Sequence, residues 1–478
     1  MTTSESPLLL IENCRHLATF DDQDRELEHC DILVEGPRIA AIGPKLREAR
    51  SLPPDVPFVD ATGHLAIPGL VNTHHHLWQV LTRVMPEAQH FTLFNWLLTN
   101  YEVWKHMDPE AFHIGALVSL SELLLSGCTT ASDMQYLFPV AQPVELIDEE
   151  IRAARDLGIR FHPTRASMTL GKDDGGLPPM SLVEPPARVL ADYERVIGAY
   201  HDDSDFSMLR IALAPCAPFN AKEELFIETA QVARRHGVLL HTHLAETEDE
   251  NVYCEEKFGC RPLEYVCRLG WEGPDVWFAH AVQFNADEIR RCAEAGIGVA
   301  HCPSANARLG SGIAPVPQMV KAGMRVGIAV DGTSSNDCGS IMEEVRMAFM
   351  LHRASQGVDA LDARGALRIA TRGGADVLRN PMIGRLQEGC AADIVLVDEE
   401  RLDWAGGASL DPLAALAFCG LQRPVDYTIV NGRIVVERGQ LCRQTEKTLV
   451  RRANAITAAL VEKERTRQRA AAAITNPG

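Results

Sequence analysis

The sequence predicts an α/β protein built around a closed (β/α)₈ barrel of the TIM type, and three observations predict it. Eight short apolar runs alternate with amphipathic helical stretches between residues 69 and 331. Many of these runs carry a polar residue at the C-terminal end, the rim on which such barrels build their sites. Both chain ends are β-rich, which adds a small β-sandwich domain assembled from the two ends.

The runs, in order, are GLVNTHHH (69–76), CTTASD (128–133), IRFHPTR (159–165), LRIALAP (209–215), VLLHTH (238–243), DVWFAH (275–280), GVAH (298–301) and RVGIAVD (325–331). Helical patterns such as DPEAFHIGALVSLSELLLSG (108–127) and AKEELFIETAQVARRHG (221–237) separate them, several ending on a glycine suited to a helix C-cap. Eight β-then-α units favour closure over an open sheet. Before them lie PLLLIEN, CDILVEG and RIAAIG; after them come ADIVLVD (392–398) and YTIVNGRIVVERG (427–439), whose NGR is a strong turn. The expected division is therefore a composite β domain from 1–66 plus 382–445 and a barrel over 67–381. A C-terminal helix and tail over 446–478 follow from the helical spacing of EKTLVRRANAITAALVEKERTRQ.

Composition narrows the functional classes. The chain has 478 residues, 46% hydrophobic and 23% charged, which suits a soluble globular protein with a large core. A formal net charge of -19, with basic residues clustered only at the extreme C-terminus, disfavours nucleic acid and anionic membranes as partners. No apolar run approaches the roughly 18 residues of a spanning helix. The start, MTTSESPLLLIENCRH, lacks a basic segment followed by a long apolar one, so no signal peptide is expected. Thirteen scattered cysteines without C-x-x-C pairs read as reduced thiols of a cytoplasmic protein.

Strand alternation picks out the chemistry. In THHHL, His74 and His76 share the interior face, while His75 points toward the helices. In HTHLAE, His241 and His243 share a face, and Glu246 follows three residues beyond His243, placed to move protons. His280 ends the sixth run and Asp331 the eighth. Imidazoles and one carboxylate, with a position left for water, make a catalytic rather than a structural metal site. Such a metal brings the pKa of bound water to about 7. His241 and His301 read as supporting residues, and Asp133 as a plain strand end.

PGLVNTHHH, HTHLAE, FAHAVQ, HCPSANARLGSGIAPV and AVDGTSSND together resemble the amidohydrolase superfamily, and occur in that family's order. More narrowly they resemble its mononuclear-metal branch of cytosine, guanine and S-adenosylhomocysteine deaminases and triazine hydrolases. The resemblance implies His74, His76, His243 and Asp331 as ligands of one divalent ion, Zn²⁺ first and Fe²⁺ as the alternative. It implies Glu246, His280 and Asp331 as the catalytic set. Binuclear relatives bridge two metals with a lysine ending strand four; LAPC offers none here, so one metal is expected.

For the substrate, Gln79 matches the glutamine with which guanine deaminases hold their purine. Arg165, at a strand end, could pair with a ring carbonyl. Trp78, with Phe94, Trp96 and Tyr101, could roof a flat heterocycle. NTHHHLWQ, TRASMTLGKDDGGLPP (164–179) and APCAPF (214–219) are most similar to the branch's 8-oxoguanine deaminases, while HCPSAN departs from them by lacking a second cysteine. Hydroxyatrazine ethylaminohydrolases share NTHHH and GCTTA. The expectation is hydrolytic deamination of an amino-oxo-purine-like heterocycle, 8-oxoguanine to urate and ammonia. Guanine, isoxanthopterin and an s-triazine are the alternatives. A homo-oligomer acting on a small heterocycle is expected.

Overall fold

A computed structural model describes residues 7–475. Residues 1–6, which open the expected β domain and the stretch read for a leader, lie outside the described residues, as do 476–478 of the tail. Eight parallel strands form the barrel: Leu70–Asn72, Cys128–Gln135, Arg160–Ser167, Ala212–Pro215, Leu239–Leu244, Val276–His280, Gly298–His301 and Arg325–Ile328, each hydrogen-bonded to the next. Helices separate them, and those over Leu146–Leu157 and Glu223–His236 end on Gly158 and Gly237 in the left-handed region, as the glycine pattern predicts.

Closure happens at the rim. The first run does not stay extended over 69–76. It breaks at Thr73, whose N–H and hydroxyl both donate to the carbonyl of Ile328 (3.1 and 2.8 Å). His75–His76 then pairs in parallel with Asp331–Gly332, tying the first strand's continuation to the last. A Cβ at Gly327 would lie 2.5 Å from Thr73 Cγ2, so this crossing needs a bare backbone.

The chain ends share one mixed sheet of nine strands, five from Leu8–Ala18 to His64–Pro68 and four from Ile394–Asp398 to Gln440–Leu441. His64–Pro68 runs antiparallel to Ile394–Asp398 and joins the halves. The sheet folds back until its outer hairpins meet: a Cβ at Gly432 would sit 2.0 Å from the carbonyl oxygen of Gly36. Ile11, Ile32 and Ile39 share a buried cluster with Ile394, Leu396 and Ile429. A buried Arg160–Asp393 ion pair, with Asn431 on the same guanidinium at 2.9 Å, fastens this sheet to the third barrel strand.

The C-terminal helix, Glu446–Thr475, packs on the helices Leu93–Trp104 and Pro109–Leu125. Thr457 donates to the carbonyl of Leu81 (2.8 Å), and buried Glu464 accepts from His106 (3.0 Å) and Arg467 (2.7 Å). Among the described residues no helix is long and apolar enough to cross a membrane, and no cysteine is in a disulfide.

Candidate active site

At the C-terminal rim five side chains from four strand ends converge. His74, His243, His280 and Asp331 offer donor atoms all within 4.8 Å of one another. His76 Nε2 lies 3.1 Å from His243 Nε2 and 3.3 Å from Asp331 Oδ1. Its neighbour His75 is fully buried away from the cluster, and neither of its ring nitrogens has a partner.

Hydrogen bonds fix which nitrogen faces inward. His76 Nδ1 lies 2.9 Å from the Met134 carbonyl and His243 Nδ1 2.7 Å from that of Cys216, and a carbonyl only accepts. Both rings therefore carry the proton on Nδ1 and turn lone pairs on Nε2 toward each other. His241 donates from Nδ1 to the Trp277 carbonyl (2.9 Å), so its Nε2 accepts from His74 Nδ1 (2.8 Å). That leaves His74 Nε2 bare, 3.2 Å from Asp331 Oδ1. His241, stacked on Trp277 at 4.1 Å, thus orients a rim residue through a hydrogen bond.

This donor set fits a cation. Opposed lone pairs 3.1 Å apart repel unless a positive charge lies between them. A proton is disfavoured there, since burial pushes His74 and His76 well below the usual imidazole range and His243 down to about 4. His74 Nε2, Asp331 Oδ1 and Glu246 Oε1 are buried without a protein partner.

Left-handed backbone aims the remaining groups. Trp277 faces the interior, so strict alternation would send His280 outward. His280 and Ala281 take φ of 74° and 50°, and the ring turns in, held by Asn306 at Nδ1 (2.9 Å). Ala245 (φ 53°) turns Glu246 in the same way, and Asp331 itself sits at φ 63°. Such conformations cost about 1–3 kcal/mol each and cluster at functional sites. Burial lifts the Glu246 carboxyl to about 7, and Asp331 adds to the rise. His280 is raised despite burial, because Glu246 (3.5 Å from Nε2) and Asp331 favour its cation.

His76, His243, His280 and Asp331 form one wall of a cavity. Facing it are Gln79, Trp96, Tyr101, Tyr136, Phe219 and Asn220. Gln79 Nε2 donates to the Tyr136 hydroxyl (3.3 Å), and its Oε1 has no partner. Gly332 makes room for that amide, since a Cβ there would lie 1.9 Å from Oε1.

Three sequence expectations need correction. Arg165 is buried outside the cavity, its guanidinium bonded to Glu184 (2.8 and 3.0 Å) and Asp192 (2.6 Å) and lying over Phe138. It points into the helix layer, where acidic partners use its donors. Trp78 follows His76 into the 3₁₀ turn Leu77–Thr82 and packs on Trp104 (4.7 Å), behind the wall. His301 contacts His352 (3.2 Å) rather than the cluster. Of the other aromatic candidates, Trp96 and Tyr101 line the cavity, whereas Phe94 backs Phe219 at 5.0 Å.

Tyr136 was missed because the second strand runs two residues past Asp133, to Gln135. Asp133 is also more than a strand end: its Oδ1 accepts from the Leu77 N–H at 2.7 Å, just after His76. Asn306 lay inside the quoted HCPSAN, with no spacing signal for its role.

The order of these rim groups on eight strands goes with a match to the amidohydrolase family over residues 65–435. The chain belongs to the amidohydrolase family. It is similar to the 8-oxoguanine deaminase of Pseudomonas aeruginosa, at 44% identity over 402 residues covering 84% of this chain and 89% of that protein. It is also similar to the hydroxydechloroatrazine ethylaminohydrolase of Pseudomonas sp. (strain ADP), at 38% identity with 92% and 93% covered. The crystal structure of the atrazine chlorohydrolase of Arthrobacter aurescens complexed with zinc superimposes with a TM-score of 0.88 at 38% identity, covering 95% of this chain and 100% of that one. As an amidohydrolase with deaminase and aminohydrolase relatives, the protein is a hydrolase of C–N bonds, and His74, His243, His280 and Asp331 at its rim could hold a metal ion.

Proposed function

We propose that this amidohydrolase deaminates an amino-oxo-purine, with 8-oxoguanine as substrate and urate and ammonia as products. The observation that carries the reading is a single cavity in which the Gln79 carboxamide and the Glu246 carboxyl face the same space as the histidine–aspartate cluster. A lactam edge, one C=O beside one N–H, is complementary to a primary carboxamide. Trp96, Tyr101 and Phe219 supply flat apolar walls for a fused ring. The similarity to a deaminase of that purine supports the choice of substrate.

His74, His76, His243 and Asp331 would hold one divalent ion, Zn²⁺ in first place by its presence in a similar hydrolase, with Fe²⁺ compatible with the same donors. Bound there, the ion supplies a Lewis acid that makes water nucleophilic near neutral pH. Glu246, titrating at about 7, gives its proton to the ring nitrogen beside the amino-bearing carbon. Asp331 takes one proton from the attacking water and passes it to the departing amino group, which leaves as ammonia, while the added hydroxyl gives its remaining proton to Glu246 as the ring carbonyl forms, restoring the acid. His280 donates a hydrogen bond to the incoming oxygen.

A panel of 8-oxoguanine, guanine, isoxanthopterin and hydroxyatrazine, assayed for ammonia and for ethylamine, tests this. Ammonia from 8-oxoguanine at the highest kcat/KM is expected. Ethylamine from hydroxyatrazine without ammonia from any purine or pterin would overturn it.

A further inference from the structure

Glu246 does not stand alone at the end of its strand. After Leu244 the chain turns through left-handed Ala245, passes Glu246, and enters the helix Glu248–Phe258 from Thr247. One side of this turn is pinned by the sixth strand's exit, where Ala281 donates to the Leu244 carbonyl (3.1 Å) and Gln283 to that of Ala245 (2.9 Å). The other side is held by Glu250, whose Oε2 accepts from the Glu246 N–H at 3.0 Å.

Glu250 is an odd helix residue. It occupies the third helical position, from which a capping-box carboxylate reaches the backbone N–H of the N-cap residue. Here that residue is Thr247, whose own hydroxyl caps nothing, and the carboxylate reaches one residue further back, to Glu246. It is fully buried, and its Oε1 has no partner among the described residues. An unpaired buried carboxylate is costly, and as a helix cap alone it is misplaced.

We propose that Glu250 is a positioning residue for Glu246, fixing through the Glu246 peptide where that carboxyl points. The proposal rests on Glu246 as the proton donor. With the peptide clamped on both sides, the strained turn at Ala245 keeps a single conformation, and the carboxyl stays 3.5 Å from His280 Nε2. Releasing the clamp lets the turn relax and the acid leave the cavity wall.

The test uses the metal-loaded enzyme with 8-oxoguanine and hydroxyatrazine as probes. Glu250→Gln keeps an acceptor oxygen and is expected to hold kcat within about threefold. Glu250→Met, similar in length and without an acceptor, is expected to lose about 10²-fold in kcat, with KM and metal content unchanged. A crystal structure of Glu250→Met is expected to show the Glu246 carboxyl displaced from His280. A Glu250→Met enzyme with wild-type kcat, a loss no greater than the fall in folded fraction, an undisplaced Glu246, or a Gln variant as impaired as Met overturns the proposal. If Glu246→Gln itself keeps full kcat, the reading of the acid has failed instead, independently of Glu250.

Discussion

Two buried polar clusters, one at the barrel rim and one around Arg165, are built on opposite rules. At the rim, His74 Nε2, Asp331 Oδ1 and Glu246 Oε1 have no protein partner, and two imidazoles oppose lone pairs. Around Arg165, the guanidinium is satisfied by Glu184, Asp192 and the Ala166 carbonyl. Both clusters are desolvated, which is unfavourable for groups of this kind. The Arg165 cluster offsets that cost within the protein and has nothing left for a ligand. The rim leaves its donors open for a cation and a heterocycle. Burial of charge alone therefore does not mark a site; several unsatisfied donor atoms converging on one space do.

The sharpest way to break the contrast is at the rim. His74→Ala, His76→Ala and Asp331→Ala are expected to lose stoichiometric metal and at least about 10⁴-fold in kcat/KM, whereas His75→Ala and His280→Ala keep the metal. Elemental analysis showing equal metal in His75→Ala and His76→Ala would undo the strand-face assignment. Next comes Glu246→Gln, expected to retain metal and lose about 10²–10⁴-fold in kcat, read by steady-state kinetics on metal-loaded protein.

The Arg165 cluster should respond in stability instead. Arg165→Met leaves buried Asp192 and Glu184 with only the partly exposed Arg195 (2.6 Å) and Arg188 (3.8 Å) as counter-charges and is expected to cost about 3–5 kcal/mol by denaturant titration, with KM of the folded enzyme unchanged. A raised KM at full stability would return Arg165 to the substrate. His241→Leu sits between the two cases: removing the acceptor for His74 is expected to weaken metal affinity about 10–100-fold, measured by competition with a chelator, while kcat at saturating metal persists.

The smallest effect is expected at the C-terminal helix. Burial works against the Glu464 charge, but hydrogen bonds from Arg467 and His106 hold the carboxyl down at about 2. A depressed carboxyl stabilises the fold above its ordinary pKa and loses that contribution as pH falls through the folded value. Docking of the C-terminal helix is thus expected to be unaffected above about pH 5 and to loosen progressively toward pH 2, followed by hydrogen exchange over 446–475. Protection that does not change between pH 6 and pH 3 would remove Glu464 from the docking.

The barrel was legible because its strands are apolar, ordered and polar-ended, and His243 because a period of two governs an intact strand; His74 and His76 face the cluster together although their strand breaks at Thr73. Where the backbone turns left-handed, that period stops. The rim positions of His280 and Glu246 could be read from the ends of their runs, but not their turn into the cavity, since alternation from Trp277 and His243 points both outward. Arg165 failed for the complementary reason. Its strand is buried on both faces, so a charge at the end could face either way, and the carboxylates that claim it lie 19 and 27 residues on. Tyr136 was hidden by two further residues of strand.

The shared sheet imposes an order of manufacture. A ribosome releases every rim residue by position 331, yet the strand His64–Pro68 finds its partner Ile394–Asp398 only afterward. Until then the nascent chain carries an open strand edge and an Arg160 whose counter-charge, Asp393, has not been synthesised. A product cut short before residue 393 thus holds the whole catalytic inventory on a support that cannot be finished, and is a substrate for aggregation or proteolysis rather than a smaller enzyme.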